Sequence, residues 1–199
     1  MTSVPTGTPS ITGLVVSVGI TSTTEAPLSS EEVAYLESVV AQAYGVSTEE
    51  LDTVVEYVTS GTLTVDIPAD VSSDEIISDL TEALSEALGV SSEAVEVVYD
   101  ASTGEVTYTV TSATFDEADA ALSTLQDAGF VESIEELTDA VSVTSVSPSP
   151  EIVADVTVAV DADEVTVPLQ QAENAVDVLL GTDYSSSSEG IDSNVLQVV

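Results

Sequence analysis

Residues 72–104 read SSDEIISDLTEALSEALGVSSEAVEVVYDASTG, and this stretch decides the fold. Ser72 followed three residues later by Glu75 is a capping-box signature, in which hydroxyl and carboxylate each take one otherwise unpaired N–H at the helix start. Ile76, Ile77, Leu80, Leu84 and Leu88 then recur at helical spacing, which predicts a helix with one apolar face. Gly89 ends it, because glycine enters the left-handed conformation of a helix stop without a Cβ clash. Val95–Tyr99 is rich in β-branched residues, Asp100–Gly104 is a turn, and in Glu105–Val110 the residues Val106, Tyr108 and Val110 alternate with Thr and Glu. That pattern predicts two half-buried strands with a turn between them, and the turn is expected to be the junction between two domains.

The same markers recur on both sides. Ser29 and Glu32 open a helix with Val33, Leu36, Val40 and Ala43 on one face, stopped at Gly45. Thr114 and Glu117 open another, carrying Phe115, Ala118, Leu122 and Leu125 and stopped at Gly129. The boxes begin 43 and 42 residues apart and the glycines lie 44 and 40 apart, each followed by an acidic link and an expected strand. Coincident markers at one period predict an internal repeat. A weaker fourth copy follows SVSPSPE (145–151): Ile152–Val160 and Val165–Val167 as a hairpin around Asp161–Glu164, then an amphipathic Leu169–Leu180 stopped at Gly181. Upstream, Ile11–Thr21 reads as a strand, and Thr53–Val58 with Thr62–Ile67 as a hairpin about Ser60-Gly61. Val195–Val199 reads as a last strand.

Four βαβ repeats of about 42 residues give an α+β chain of two tandem ferredoxin-like (βαββαβ) domains, antiparallel sheets with helices on one face. Residues 1–10 (MTSVPTGTPS) are expected to form a flexible Thr/Pro-rich arm, 11–100 the first domain and 104–199 the second. The second then holds a Ser/Pro linker at 145–151 and a Ser-rich loop at 182–190. One larger sheet with all four helices on one face is the alternative.

Charge constrains function more than the fold does. The chain has no Lys, Arg or His against 37 Asp and Glu, a net charge of −37. Side-chain salt bridges are therefore impossible, and the carboxylates must be solvated, capped by N–H groups or neutralised from outside. Phosphate contacts to nucleic acid need Lys or Arg, so that class of partner is excluded. Anionic membrane surfaces repel such a chain, and no run approaches the roughly 18 apolar residues of a membrane span. Trypsin-like proteases find no site. Without His, Cys or Lys, a serine has no partner base for nucleophilic catalysis. No catalytic residues are assigned, and the chain reads as a non-enzyme.

Hard cations take oxygen ligands, which this chain holds in excess. The densest acidic cluster on an expected turn is Asp161, Asp163 and Glu164, the candidate Ca²⁺ ligands; no cofactor is required. Asp116, Glu117 and Asp119, Glu49, Glu50 and Asp52, and Glu135, Glu136 and Asp139 are denser than average too, but acids at helix starts are explained by the helix dipole. The function expected is a highly acidic structural module that assembles with copies of itself into an extracellular or secretory-granule filament, matrix or coat. Strand exchange at the termini and neutralisation by cations would drive the assembly. The alternatives are a monomeric Ca²⁺-binding or mineral-interacting protein, and an acidic decoy for a basic protein.

Overall fold

The computed structural model describes residues 15–66, 71–138, 142–147, 151–161, 165–180 and 184–189. Among them the chain forms a mixed α+β fold with seven strands and five α-helices. In order these are β1 (Val15–Thr23), α1 (Ser30–Tyr44), β2 (Leu51–Asp66), α2 (Ser73–Leu88), β3 (Val95–Asp100), β4 (Glu105–Ser112), α3 (Phe115–Leu125), α4 (Phe130–Leu137), β5 (Ser142–Ser147), β6 (Ile152–Asp161), α5 (Leu169–Leu180) and β7 (Ser185–Glu189).

The chain divides into two compact units, and the division is not tandem. One unit is nearly continuous, residues 21–29 and 55–155; the described part of the other comes from 15–20, 30–54 and 156 onward. The turn at Asp100–Gly104, expected to be the seam between domains, instead joins β3 to β4 within the first of these. Those two strands pair antiparallel over their whole common length, Val95 opposite Val110 through Asp100 opposite Glu105. The expected seam fails for a simple reason: a tight turn between two strands is equally well a hairpin, and the partner strand decides which.

In the near-continuous unit the strand order is β3–β4–β2–β5 and each pair is antiparallel. Helix α2 lies between β2 and β3 in sequence, and α3 with α4 between β4 and β5. Alternation places Leu63 and Val65 of β2, Val95 and Val97 of β3, and Val106, Tyr108 and Val110 of β4 in one buried cluster. Ile76, Leu80 and Leu84 of α2 and Phe130 and Ile134 of α4 complete it. The outward positions of the same strands carry Thr107, Glu96, Val98 and Thr64, as the period of two requires. A smaller cluster joins Tyr57, Ala118, Ile152 and Ala154 with Phe115 and Leu28. There the Tyr57 and Phe115 rings meet edge to face at 5.6 Å, and the Tyr57 hydroxyl accepts from the Leu28 N–H at 3.0 Å.

In the other unit the order is β2–β6–β1–β7, with α1 following β1 and α5 following β6 in sequence. Val16, Val18 and Ile20 of β1, Leu36 and Val40 of α1, Val156, Val158 and Val160 of β6, and Ala172 and Val176 of α5 are all buried. Helices α1 and α5 lie against each other, and the Tyr35 hydroxyl donates to the Leu179 carbonyl between them at 3.0 Å. Gly45 ends α1 in the left-handed region (φ 72°). Its carbonyl accepts from the Thr166 hydroxyl at 3.0 Å, and a Cβ added there would run into that same hydroxyl.

Several expectations change. The hairpin expected about Ser60-Gly61 is instead the middle of β2, a single strand of 16 residues. Gly61 faces Tyr108 across the sheet, and a Cβ on it would lie 2.8 Å from Tyr108 Cζ. The glycine makes room for a ring rather than for a turn. Gly129 does not stop α3, which closes at Gln126; its φ of −89° is right-handed, and it opens α4. The third repeat marker therefore differs in kind from Gly45 and Gly89. Residues 185–189 of the expected Ser-rich loop form β7. β6 ends at Asp161, with no strand at Val165–Val167. Residues 1–10, the stop at Gly181 and the strand at Val195–Val199 lie outside the described residues.

Candidate interaction surface

Of the expected caps, the one at Thr114 is a full box and the one at Ser72 is half of one. The Ser72 hydroxyl accepts from the Glu75 N–H at 3.3 Å. Thr114 and Glu117 close a full box, Thr114 Oγ1 accepting from the Glu117 N–H at 3.3 Å and Glu117 Oε2 from the Thr114 N–H at 3.2 Å. A box the sequence reading passed over, Ser47 with Glu50, caps a 3₁₀ turn ahead of β2. Its signature was present, but no apolar periodicity follows it. Glu50 and Glu117 thus sit at caps, where the free N–H groups hold their carboxylates, and Glu75 lies in the first turn of α2.

Of the three candidate cation ligands, Asp161 is the last residue of β6, and Asp163 and Glu164 lie outside the described residues. Among the described residues no group of three carboxylates is close enough to hold a metal ion. The other clusters are likewise spread along exposed surface: Asp116, Glu117 and Asp119 are all solvent-facing, as are Glu49 and Glu50.

The near-continuous unit has a cleft of about 540 Å³ between the end of α2, the start of β3 and the end of β4. Glu56, Glu93 and Glu117 line it together with Ser91 and Thr111. Three carboxylates with hydroxyls between them suit a cationic group on a partner, a Lys or Arg side chain above all. The other unit carries a groove along α1 and α5, lined by Ala43, Val167, Ala175 and Val178 among others; Val178 is 81% exposed. Among the described residues no helix is long and apolar enough to cross a membrane.

The sheet offers a third surface, its edge. Among the described residues β3 ends the strand order with β4 as its one strand neighbour, and there its other side presents backbone donors and acceptors without a strand partner. Val95 and Val97 point into the core, while Glu96, Val98 and Asp100 are exposed, Val98 by 55%. The strand has no Pro or bulge; its guards are its length of six residues and the exposed carboxylates of Glu96 and Asp100. At its end the Asp100 carboxylate accepts from the Ser102 hydroxyl at 2.6 Å and the Ser102 N–H at 2.8 Å. These bonds hold its pKa below the ordinary carboxylate value and favour the charged form.

Two tyrosine hydroxyls are buried with no hydrogen-bond partner, Tyr44 and Tyr108. Burial first, and the Glu173 charge second, push Tyr44 upward; burial alone pushes Tyr108 up to about 12. Neither opens onto the cleft or groove just described. No family model, no curated protein and no solved structure matches this chain.

Proposed function

We propose that this chain is a non-enzymatic structural module whose copies join through sheet edges into a filament, matrix or coat outside the cell or in a secretory granule. The observation that carries the reading is the edge position of β3, which among the described residues has no second strand neighbour and exposes Val98. Such an edge is a template for a further strand once its carboxylates are screened. Cations, Ca²⁺ included, or a basic protein would screen the −37 charge so that copies can approach. Architecturally the reading is of two ferredoxin-like units. Its support is the order β3–β4–β2–β5 in one and β2–β6–β1–β7 in the other, each around two strand–helix–strand crossovers. The left-handed glycines at 45 and 89 support a repeated building block.

Sedimentation velocity and negative-stain microscopy across protein concentration, NaCl and CaCl₂ test the function. Assembly that grows with ionic strength or Ca²⁺ is the expected result; monomers under every condition would sink it. The cleft lined by Glu56, Glu93 and Glu117 favours a second reading, docking of a basic protein. Its mark is binding to a Lys-rich partner that is lost at moderate salt and weakened by Glu93→Gln.

A further inference from the structure

We infer that the partner of the β3 edge is β3 of a second copy, paired antiparallel about a two-fold axis with Val97 opposite Val97. This rests on the assembly reading and adds the strand, the register and the symmetry.

The residues of β3 settle the register. Val95, Val97 and Tyr99 lie on the core side, Glu96, Val98 and Asp100 on the outer side. A mate must keep core-side residues opposite core-side residues, since a slip of one residue turns every side chain to the other face. Only registers in steps of two survive that condition. Centring the axis on Val98 sets Glu96 directly opposite Asp100 of the other copy, twice. Shifting it the other way sets Glu96 opposite Glu96. Like charges directly opposite are destabilising, and in a chain without a single cation nothing local can offset them. Centring on Asp100's side leaves only a few residues paired. With the axis on Val97, Val95 meets Tyr99, Val97 meets Val97 and Glu96 meets Val98, so no carboxylate faces another. The apolar layer beneath α2 then runs on into the second copy, and the exposed Val98 packs on the methylenes of Glu96. Carboxylates remain diagonal neighbours, so the pair strengthens with salt. A two-fold pair closes on itself, so growth past a dimer uses another edge, of which β7 (Ser185–Glu189) is one.

The chain has no cysteine, which makes cross-linking a clean test. Glu96→Cys and Val98→Cys are both at exposed positions, and full-length variants are oxidised in 0.5 M NaCl singly and as an equal mixture, alongside sedimentation of the parent. Directly opposite Cβ atoms reach disulfide distance and diagonal ones do not. The expected result is a disulfide dimer several-fold more abundant in the mixture than in either variant alone. Val98→Cys cross-linking best by itself, or Glu96→Cys by itself, overturns the register. Association of the parent with no cross-link in any sample overturns the inference while the assembly reading stands. A parent that stays monomeric in all salts overturns both. A monomer that takes up a Lys-Val alternating peptide at low salt assigns the edge to a basic strand instead.

Discussion

Replacing Gly61 by Ala probes the closest packing in the sheet. A Cβ at this position would sit 2.8 Å from Tyr108 Cζ and 3.1 Å from Cε1, across the antiparallel pair of β2 and β4. Tyr108 is fully buried among Leu63, Val106 and Leu84, so its ring cannot swing into solvent. Overpacking of this kind costs about 1–3 kcal/mol. Against it, Ala restricts the unfolded chain and returns about 0.4–1 kcal/mol, leaving a net loss of roughly 1–2 kcal/mol. At this chain length that is a Tm lower by about 3–6 °C. Tyr108→Phe acts in the opposite sense, because it deletes a buried hydroxyl that has no partner; it should be neutral or stabilising by up to about 1 kcal/mol. With the hydroxyl gone, the Gly61→Ala cost should fall by about 0.5–1 kcal/mol while the ring contact persists. Urea denaturation of the two single variants and the double variant measures all three quantities. A Gly61→Ala chain as stable as the parent, or a Tyr108→Phe loss above 1 kcal/mol, would refute the account of why glycine stands inside a strand.

Three other outcomes are expected. Gly45→Ala and Gly89→Ala both force a Cβ into the left-handed region, at roughly 1–2 kcal/mol each, but only at Gly45 does the new atom also strike Thr166, whereas Gly89 has open space. Gly45→Ala should therefore lose clearly more stability in thermal melts, and equal losses would contradict the contact. Thr114→Ala removes the hydroxyl that accepts from the Glu117 N–H and should cost about 1 kcal/mol, read by denaturation. Burial holds Tyr108 up to about 12 in the folded chain against an ordinary value of 10. The folded state then keeps a proton the unfolded state has lost, so stability falls between pH 10 and 12. Tyr108→Phe should flatten that slope in pH-dependent melts, and an unchanged slope would show that other groups set it.

Local signals were legible in the sequence and long-range ones were not. The box at Thr114 with Glu117, the cap at Ser72, the left-handed stops at Gly45 and Gly89 and the strands β3 and β4 are each written within a few residues of themselves, whereas the pairing of those two strands across their turn was not. Gly61 misled because a strand glycine and a turn glycine look alike until Tyr108, 47 positions away, is known to lie over it. Gly129 misled because the helix before it was already closed at Gln126, leaving the glycine to start the amphipathic α4. β7 is almost all serine, and serine carries no strand preference; its neighbour in the sheet, not its composition, makes it a strand. The edge of β3 could be foreseen as a strand but not as an edge, since strand order is a property of the whole chain. The acidic cleft is similar, gathering Glu56, Glu93 and Glu117 from segments far apart in sequence.

The unequal segmentation of the two units fixes an order of events during synthesis. Residues 55–155 emerge as one stretch and hold both crossovers of their sheet, so this unit can close while the rest is still being made. β1 and α1 are made first yet lack their partner β6, which comes more than a hundred residues later. Chains wait longest for the contacts most distant in sequence, and a waiting apolar strand is a hazard for aggregation. Through that interval the uniform negative charge keeps one nascent chain away from the next, so the repulsion that opposes assembly in the finished protein protects the unfinished one.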